Sequence, residues 1–319
     1  MLSTKPLSVV IATHNRENIL KKALAAYQDQ SAREEIRELL VVDDGSSDGT
    51  PAMVAEFSRV SPVPIRYFRQ DRRGAAAARN IGIENASGEL VLFTDDDVIP
   101  SPHLVSEHLT WHEQNRESNV SVLGDIRWDP EVRPTPFMQW FATGGPLLNL
   151  ARCKDGADLD FRSFYTGNIS LKTTFLREHG VFDEDFKGYG FEDIELGYRL
   201  EKGGLRLLYN SAAVGYHYKF MSFEDACRWA KVVAAARKLF ESKEAGMVLA
   251  RMEAQKKARL ASRMKRLLVR TLVPFLSPMK PLLDSQLRLP RIFYRAFYHY
   301  YATRPAALQA GVEEDSAGE

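Results

Sequence analysis

Residues 89–100 read ELVLFTDDDVIP. Leu90, Val91, Leu92 and Phe93 form a short, uninterrupted apolar run, the pattern of a strand buried on both faces. Asp95, Asp96 and Asp97 follow at once. Three adjacent carboxylates repel one another, and the end of a buried strand is a costly place for them without a counter-charge. One reading is a solvated acidic turn ahead of a helix, since Asp is common in turns. The other is a hard divalent cation held by oxygen ligands.

The flanking sequence weighs on that choice. Leu7 to Ala12 (LSVVIA) is a second apolar run. It is followed by Thr13-His14-Asn15 and by a helix predicted over 16–30, with Ile19, Leu20, Ala23, Leu24 and Tyr27 on one face. Glu38 to Val42 (ELLVV) predicts another strand, ending in the polar turn Asp43 to Thr50 that caps a helix near Pro51. Residues 65–69 predict a third strand. Gly74 to Asn80 then opens a helix whose small residues permit close backbone approach. Strand–helix alternation at this spacing predicts an α/β fold, a Rossmann-like mixed and mainly parallel sheet with helices on both faces. Ligands of such sheets bind beyond the carboxyl ends of the strands. Thr13 to Asn15, Asp43-Asp44 and Asp95 to Asp97 all fall on that edge, so one shared cleft is expected and the cation reading gains. The first strand is followed by no GxGxxG and no GxxxxGK[ST], which disfavours a nicotinamide site and a P-loop.

Downstream, a helix is expected at 104–113 and a strand at 120–125. Residues 130–160 read as a long irregular excursion, either a flap or part of an acceptor site, or an ordered surface loop. A strand is predicted at 164–170 and a short helix at 173–178. Glu192-Asp193 opens a helix running to Lys202 and closed by Gly203-Gly204. Acidic residues suit a helix's first turn through the macrodipole alone. A strand follows at 205–209, and His217 sits among aromatic residues in VGYHYK (214–219).

Five segments carry a family resemblance: SVVIATHNR (8–16), VVDDGSSDGT (41–50), RRGAAAARNIGI (72–83), SGELVLFTDDD (87–97) and GYGFEDIELGYRL (188–200). In this order they resemble the successive motifs of family 2 glycosyltransferases of the GT-A fold, over about residues 6–220. The resemblance implies a nucleotide-sugar donor, a divalent metal at a DxD motif and inversion at the anomeric carbon. It implies that Thr13, Asn15 and Glu17 lie near the base and ribose, and that Asp44 bonds the base, usually uracil. It further implies that Arg79 approaches the diphosphate and that the segment containing Asn168 lies beside the donor sugar. Asp95 and Asp97 match the acidic positions of DxD. Strand alternation would put them on one side and Asp96 on the other, with Asp97 on the metal, Asp95 on the ribose or metal, and Asp96 in the donor site. His217 falls where many metal-dependent members complete the metal site; oxygen and imidazole ligands suit Mn²⁺ or Mg²⁺. Asp193 matches the general base, with Glu192 orienting acceptor or donor. A helix N-terminus would lower the base's pKa.

Composition bounds the rest. The formal net charge is +1, but residues 1–227 sum to −9, 228–295 to +13 and 296–319 to −3. The division expected is a nucleotide-sugar-binding half (1–120), an acceptor-binding half (121–221) and a helical basic extension with a disordered tail (222–319). The basic and aromatic stretch 228–301 reads either as a helix bundle packing on the catalytic domain or as a surface for an anionic membrane facing the cytoplasm; no recognition motif supports nucleic acid. Cys153 and Cys227 form no framework, so a reducing cytoplasm is expected, without signal peptide or spanning helix. The acceptor expected is a glycan or lipid-linked glycan. Competing functions are a nucleotidyltransferase of related fold, disfavoured by THNRENI (13–19) where a Gly-rich basic loop would stand, and a non-catalytic sugar-nucleotide or glycan binder.

Overall fold

The computed structural model describes residues 6–147, 150, 153–256, 273 and 276–302. Four strands, β1 (Leu7–Thr13), β2 (Ile36–Asp43), β3 (Ile65–Arg69) and β4 (Leu90–Asp95), form a parallel half in the order β3-β2-β1-β4. Helices α1 (Glu17–Gln28), α2 (Thr50–Val60) and α3 (Ala75–Asn85) connect them. The apolar runs are central because both faces of β1 and β4 are covered: Val9, Ile11, Leu90 and Leu92 pack in one core cluster, Val10, Val91 and Phe93 in another. The three polar clusters do fall at one sheet edge, since β1, β2 and β4 run parallel and end at Thr13, Asp43 and Asp95.

The second half is mixed. Its elements are β5 (Val98–Pro100), α4 (Leu104–Gln114), β6 (Val120–Trp128), α5 (Pro136–Thr143), β7 (Asp158–Leu159), β8 (Asn168–Lys172), α6 (Thr173–His179), α7 (Glu192–Lys202) and β9 (Arg206–His217). The sheet continues β4-β8-β6-β9-β5, with β7 on β9. Strand β8 is antiparallel to β4 and β6, whereas β6 and β9 are parallel. The expected strand at 164–170 thus begins only at Asn168, because a 3₁₀ turn occupies 161–163 and the chain enters the sheet after Gly167.

The excursion 130–160 contains a helix that periodicity did not reveal. Thr135 caps α5 by accepting from Met138 N, and Pro136 fills its first position, where a missing N–H costs nothing. Phe137, Met138, Trp140 and Phe141 of α5 are buried. Residues 148–149 and 151–152 lie outside the described residues.

The C-terminal part is α8 (Phe223–Ser242), opened by a Ser222–Asp225 capping box, then α9 (Glu244–Lys256) and α10 (Arg291–Ala302). Tyr294, Phe297 and Tyr300 of α10 are buried against Phe137, Trp140 and Phe223. Each buried ring contributes roughly 1.5–3 kcal/mol, which holds α10 on the body. The expected outward aromatic surface at 291–301 is therefore corrected for these three rings. The expectations for 257–272 and for the acidic tail lie outside the described residues. Among the described residues no helix is long and apolar enough to cross a membrane, and both cysteines are free.

Candidate active site

A cavity of about 680 Å³ opens at the carboxyl ends of β1 and β4. Thr13, Asp44, Arg79, Asp95, Asp96, Asp97, Glu192, Asp193 and His217 all line it. Asn15, Glu17 and Asn168 do not.

The three aspartates have different partners. Strand β4 ends at Asp95 and the chain turns through Asp96 and Asp97 before β5. The alternation expected of an extended backbone is thus corrected. Asp95 accepts from Arg79 (3.0 Å) and faces the Tyr165 hydroxyl (3.4 Å). Asp96 accepts from the Thr13 hydroxyl at 2.7 Å; burial, then the Asp97 charge, push its pKa up. Asp97 lies 3.3 Å from His217 Nε2 and 3.7 Å from Arg16. Burial opposes its ionisation, yet His217 and Arg16 outweigh that and hold its pKa low. The Asp97–His217 meeting follows from strand register. Val98 of β5 pairs with His217 of β9, and Tyr218 N donates to Asp97 O. Trp128 stacks on the imidazole at 5.1 Å and 10°.

Arg79 is buried, and its guanidinium bridges Asp95 to Glu192 at 3.0 and 2.9 Å. Its fork, expected to approach a diphosphate, is engaged by two carboxylates. Of the other cations on the cavity wall, Arg127 and Arg162 are paired with Asp125 and Asp160, Arg16 is too far from Asp97 for a hydrogen bond, and Lys219 biases Asp97 only through its field. Sequence reading missed the last two, although Arg16 opens α1 and Lys219 stands two residues beyond His217.

Glu192 Oε2 also accepts from Gly190 N (2.8 Å), and Phe191 between them takes a left-handed φ of 70°. Asp193 is buried and accepts from Ile194 N at 2.8 Å. Burial, then the Glu192 charge, raise its pKa well above the carboxylate range, outweighing Arg79 and the Ile194 N–H. The direction is the reverse of the expected lowering, and desolvation is its largest cause.

Asp44 accepts from Gln70 Nε2 (2.6 Å), Arg73 N (2.7 Å) and Gly74 N (2.9 Å), fixing the loop ahead of α3. Gly74 has a φ of +96°, and a Cβ there would meet Lys187 O at 2.6 Å. That close contact docks the loop on the segment leading to Glu192. Asn15 reaches the same loop system, accepting from Ser47 N (2.8 Å) while its own N–H donates to Ser46 Oγ (2.8 Å). Glu17 lies under Gly49 and its N–H donates to Asp48. Both shape the turns below the cavity rather than its wall. Asn168 is buried within the sheet, its amide donating to Asp125 O and Ala213 O, so its donor-sugar assignment is corrected to a structural contact.

Among the described residues no three His, Cys, Asp or Glu side chains converge as a ready metal cage. Asp97 and His217 nonetheless offer one ionised carboxylate and one imidazole facing each other. That donor set fits a Mg²⁺ or Mn²⁺ ion, which is usually held by one or two protein ligands with substrate phosphates and water. Asp95, engaged by Arg79, is not part of that pair. Trp128, Leu147, Phe191 and Trp229 add apolar and aromatic surface to the lining.

Comparison with known proteins bears on the fold and the family. The family model described as "Glycosyl transferase family 2" matches residues 8–160. Validoxylamine A glucosyltransferase of Streptomyces hygroscopicus subsp. limoneus is 32% identical over 222 residues, 62% of this chain and 48% of that protein. S. aureus TarS 1–349 in complex with UDP superposes with a TM-score of 0.56 at 18% identity, over 93% of this chain and 89% of that one. The mannosyltransferase PcManGT from Pyrobaculum calidifontis, in complex with GDP-Man and Mn²⁺, also gives 0.56 at 18%, over 93% and 88%. The last two establish the fold, that of GT-A glycosyltransferases. The chain spans 48–65% of the length of the first curated relatives it matches. Residues 8–160, which carry Asp44, Arg79 and Asp95 to Asp97 of the cleft, match the glycosyl transferase family 2 model, while Glu192, Asp193 and His217 lie outside that match.

Proposed function

We propose that this chain is a metal-dependent, inverting glycosyltransferase that moves a sugar from a nucleoside-diphosphate sugar, with UDP as the nucleotide, to a hydroxyl of a glycan or lipid-linked acceptor in polysaccharide or glycoconjugate synthesis. One observation carries the reading. A buried carboxylate of raised pKa, Asp193, lines the same cavity as an ionised carboxylate–imidazole pair, Asp97 and His217. The relative and the structural neighbours support it through what their names say they transfer or hold.

In this reading residues 1–120 hold the donor and 121–221 the acceptor. Asp44 and Thr13 border the base and ribose. Arg16 and Lys219 take the diphosphate charge in place of Arg79. Asp97 and His217 hold Mn²⁺ or Mg²⁺, which when bound neutralises charge on the departing diphosphate. Asp193 accepts the acceptor hydroxyl's proton at a carboxylate oxygen, and its raised pKa makes it a stronger base near neutral pH than an ordinary aspartate. Glu192, fixed by Arg79 and Gly190 N, keeps Asp193 desolvated and oriented. The aromatic wall excludes water and offers a face to a sugar ring.

A panel of nucleotide sugars with Mn²⁺, scored by nucleoside diphosphate release and by thermal shift, tests this. A donor at 100 times its dissociation constant should add about 2.7 kcal/mol of stability. Absence of metal-dependent release with every donor and a hydroxyl acceptor would reject the reading. We also propose that the exposed Arg288, Arg291 and Arg295, with Leu287 and Ile292 beside them, meet an anionic membrane surface. Sedimentation with vesicles containing phosphatidylserine, against neutral vesicles, tests that; equal partition would exclude it.

A further inference from the structure

Behind the cavity wall lies a buried polar chain that the mechanism does not use. His112 Nε2 stands 2.9 Å from Ser170 Oγ, which stands 2.8 Å from His108 Nδ1. His108 Nε2 is 2.8 Å from Asn168 Oδ1, and Asn168 Nδ2 reaches Asp125 O (3.0 Å) and Ala213 O (2.8 Å). Both imidazoles and the serine have no exposed surface.

The direction of every proton in this chain follows from its far end. Two backbone carbonyls can only accept, so the Asn168 atom facing them is the nitrogen. Its oxygen then accepts, which makes His108 Nε2 the donor. Burial pulls the pKa of His108 down to about 4 and that of His112 to about 3, so both rings are neutral near pH 7. A neutral His108 carrying Nε2–H presents a bare Nδ1, so Ser170 donates to it. Ser170 Oγ then accepts from His112 Nε2–H, and His112 Nδ1 is left as a buried acceptor with no partner.

The amide's position explains the need for a fixed orientation. The β6–β9 ladder slips between Gly124 and Asp125, whose partners are Asn210 and Val214. This bulge leaves Ala213 out of the ladder and buried, and its carbonyl would be an orphan without Asn168. A Cβ on Gly124 would lie 2.2 Å from Asn168 Nδ2, so only glycine admits the amide. Beyond the bulge the ladder resumes from Asp125↔Val214 to Trp128↔His217 and ends at the imidazole that faces Asp97.

We propose that Asn168 is a positioning residue that sets the register of His217 against Asp97, and that its amide, oriented by the two carbonyls, sets the direction of a one-way relay through His108, Ser170 and His112. Only the Mn²⁺ measurement below rests on the function proposed above. The histidine tautomers and the His217 resonances are read without metal or donor, so failure of one idea is distinguishable from failure of the other.

The test is a long-range ¹H–¹⁵N spectrum of the full chain labelled with ¹⁵N-histidine. His108 and His112 should both appear as neutral Nε2–H tautomers at pH 7. An Nδ1–H tautomer or an imidazolium at His108 overturns the relay. In Asn168→Asp, which cannot donate to the two carbonyls, the His217 ring signals should move, and Mn²⁺ affinity should fall about 10–100-fold, as for other loss of support behind a metal ligand. A folded variant with wild-type His217 signals and affinity overturns the positioning role. If Asn168→Asp does not fold, Ser170→Ala keeps both carbonyl contacts and breaks the relay. His108 should then keep its Nε2–H, held by Asn168 Oδ1, His112 should change tautomer, and the His217 signals, which follow the carbonyl contacts, should stay at wild-type values; an Nδ1–H His108 or shifted His217 signals refute the idea.

Discussion

Replacing Arg79 by Met removes the one cation between Asp95 and Glu192. Arg79 is 4% exposed and Glu192 3%, so neither water nor salt can substitute for the lost charge. Removing one partner of a buried ion pair costs roughly 3–5 kcal/mol, because the other charge is left uncompensated. Glu192 carries most of this; the Asp95 side chain, 19% exposed, is better hydrated. Against a typical total of about 5–15 kcal/mol, the loss is a large fraction of the stability. The loss is read as the gap between wild type and Arg79→Met in guanidinium unfolding at pH 8 in metal-free buffer. Arg79→Lys should recover part of it, since one ammonium cannot bridge both carboxylates as the fork does. A gap under about 1 kcal/mol at pH 8 would refute the buried-bridge reasoning.

Three further outcomes are expected. Asp193→Asn should lower kcat by about 10²–10⁴ with little change in donor affinity. Because Asp193 has a raised folded-state pKa, the same change should make the protein more stable relative to wild type as pH rises above about 4, read as unfolding midpoints across pH; a constant difference would contradict the burial argument. Asp96→Asn should stay within several-fold of wild-type turnover, since that carboxyl is biased toward its protonated form and held by Thr13, whereas Asp97→Asn should weaken Mn²⁺ binding measured by electron paramagnetic resonance titration. Arg16→Ala with Lys219→Ala should raise the donor KM and flatten its salt dependence, leaving the thermal midpoint nearly unchanged; an unaltered KM would remove both residues from the diphosphate site.

Much of the fold was legible because it is local. The strand at 65–69 and the helix at 192–202 have the expected bounds, and β1, β2 and β4 differ by at most two residues at either end. Periodicity and capping report on neighbours in the chain, so they read such elements well. Helix α5 was missed because Phe137, Met138, Trp140 and Phe141 are apolar nearly all round, leaving no polar stripe; the Thr135-Pro136 start was its one local sign. The aromatic residues of 291–301 invited an interfacial reading, but nothing in their own sequence says that α5 and α8 offer them a partner surface.

Asp95 to Asp97 show the same division within the site. Sequence alone set the inventory: three carboxylates at the end of a buried strand, a second acidic pair opening a helix, a histidine downstream and a shared sheet edge. Only tertiary structure assigned the partners, giving Asp95 to Arg79, Asp96 to Thr13 and Asp97 to His217. It also reversed the pKa expected of Asp193 and moved Asn168 from the cavity to the wall behind it. The reason is physical. Electrostatic pairing and desolvation depend on distance and burial in space, and Arg79 meets Glu192 across 113 positions of chain. A local pattern says which charges must be compensated; the packing of distant elements decides which groups compensate them.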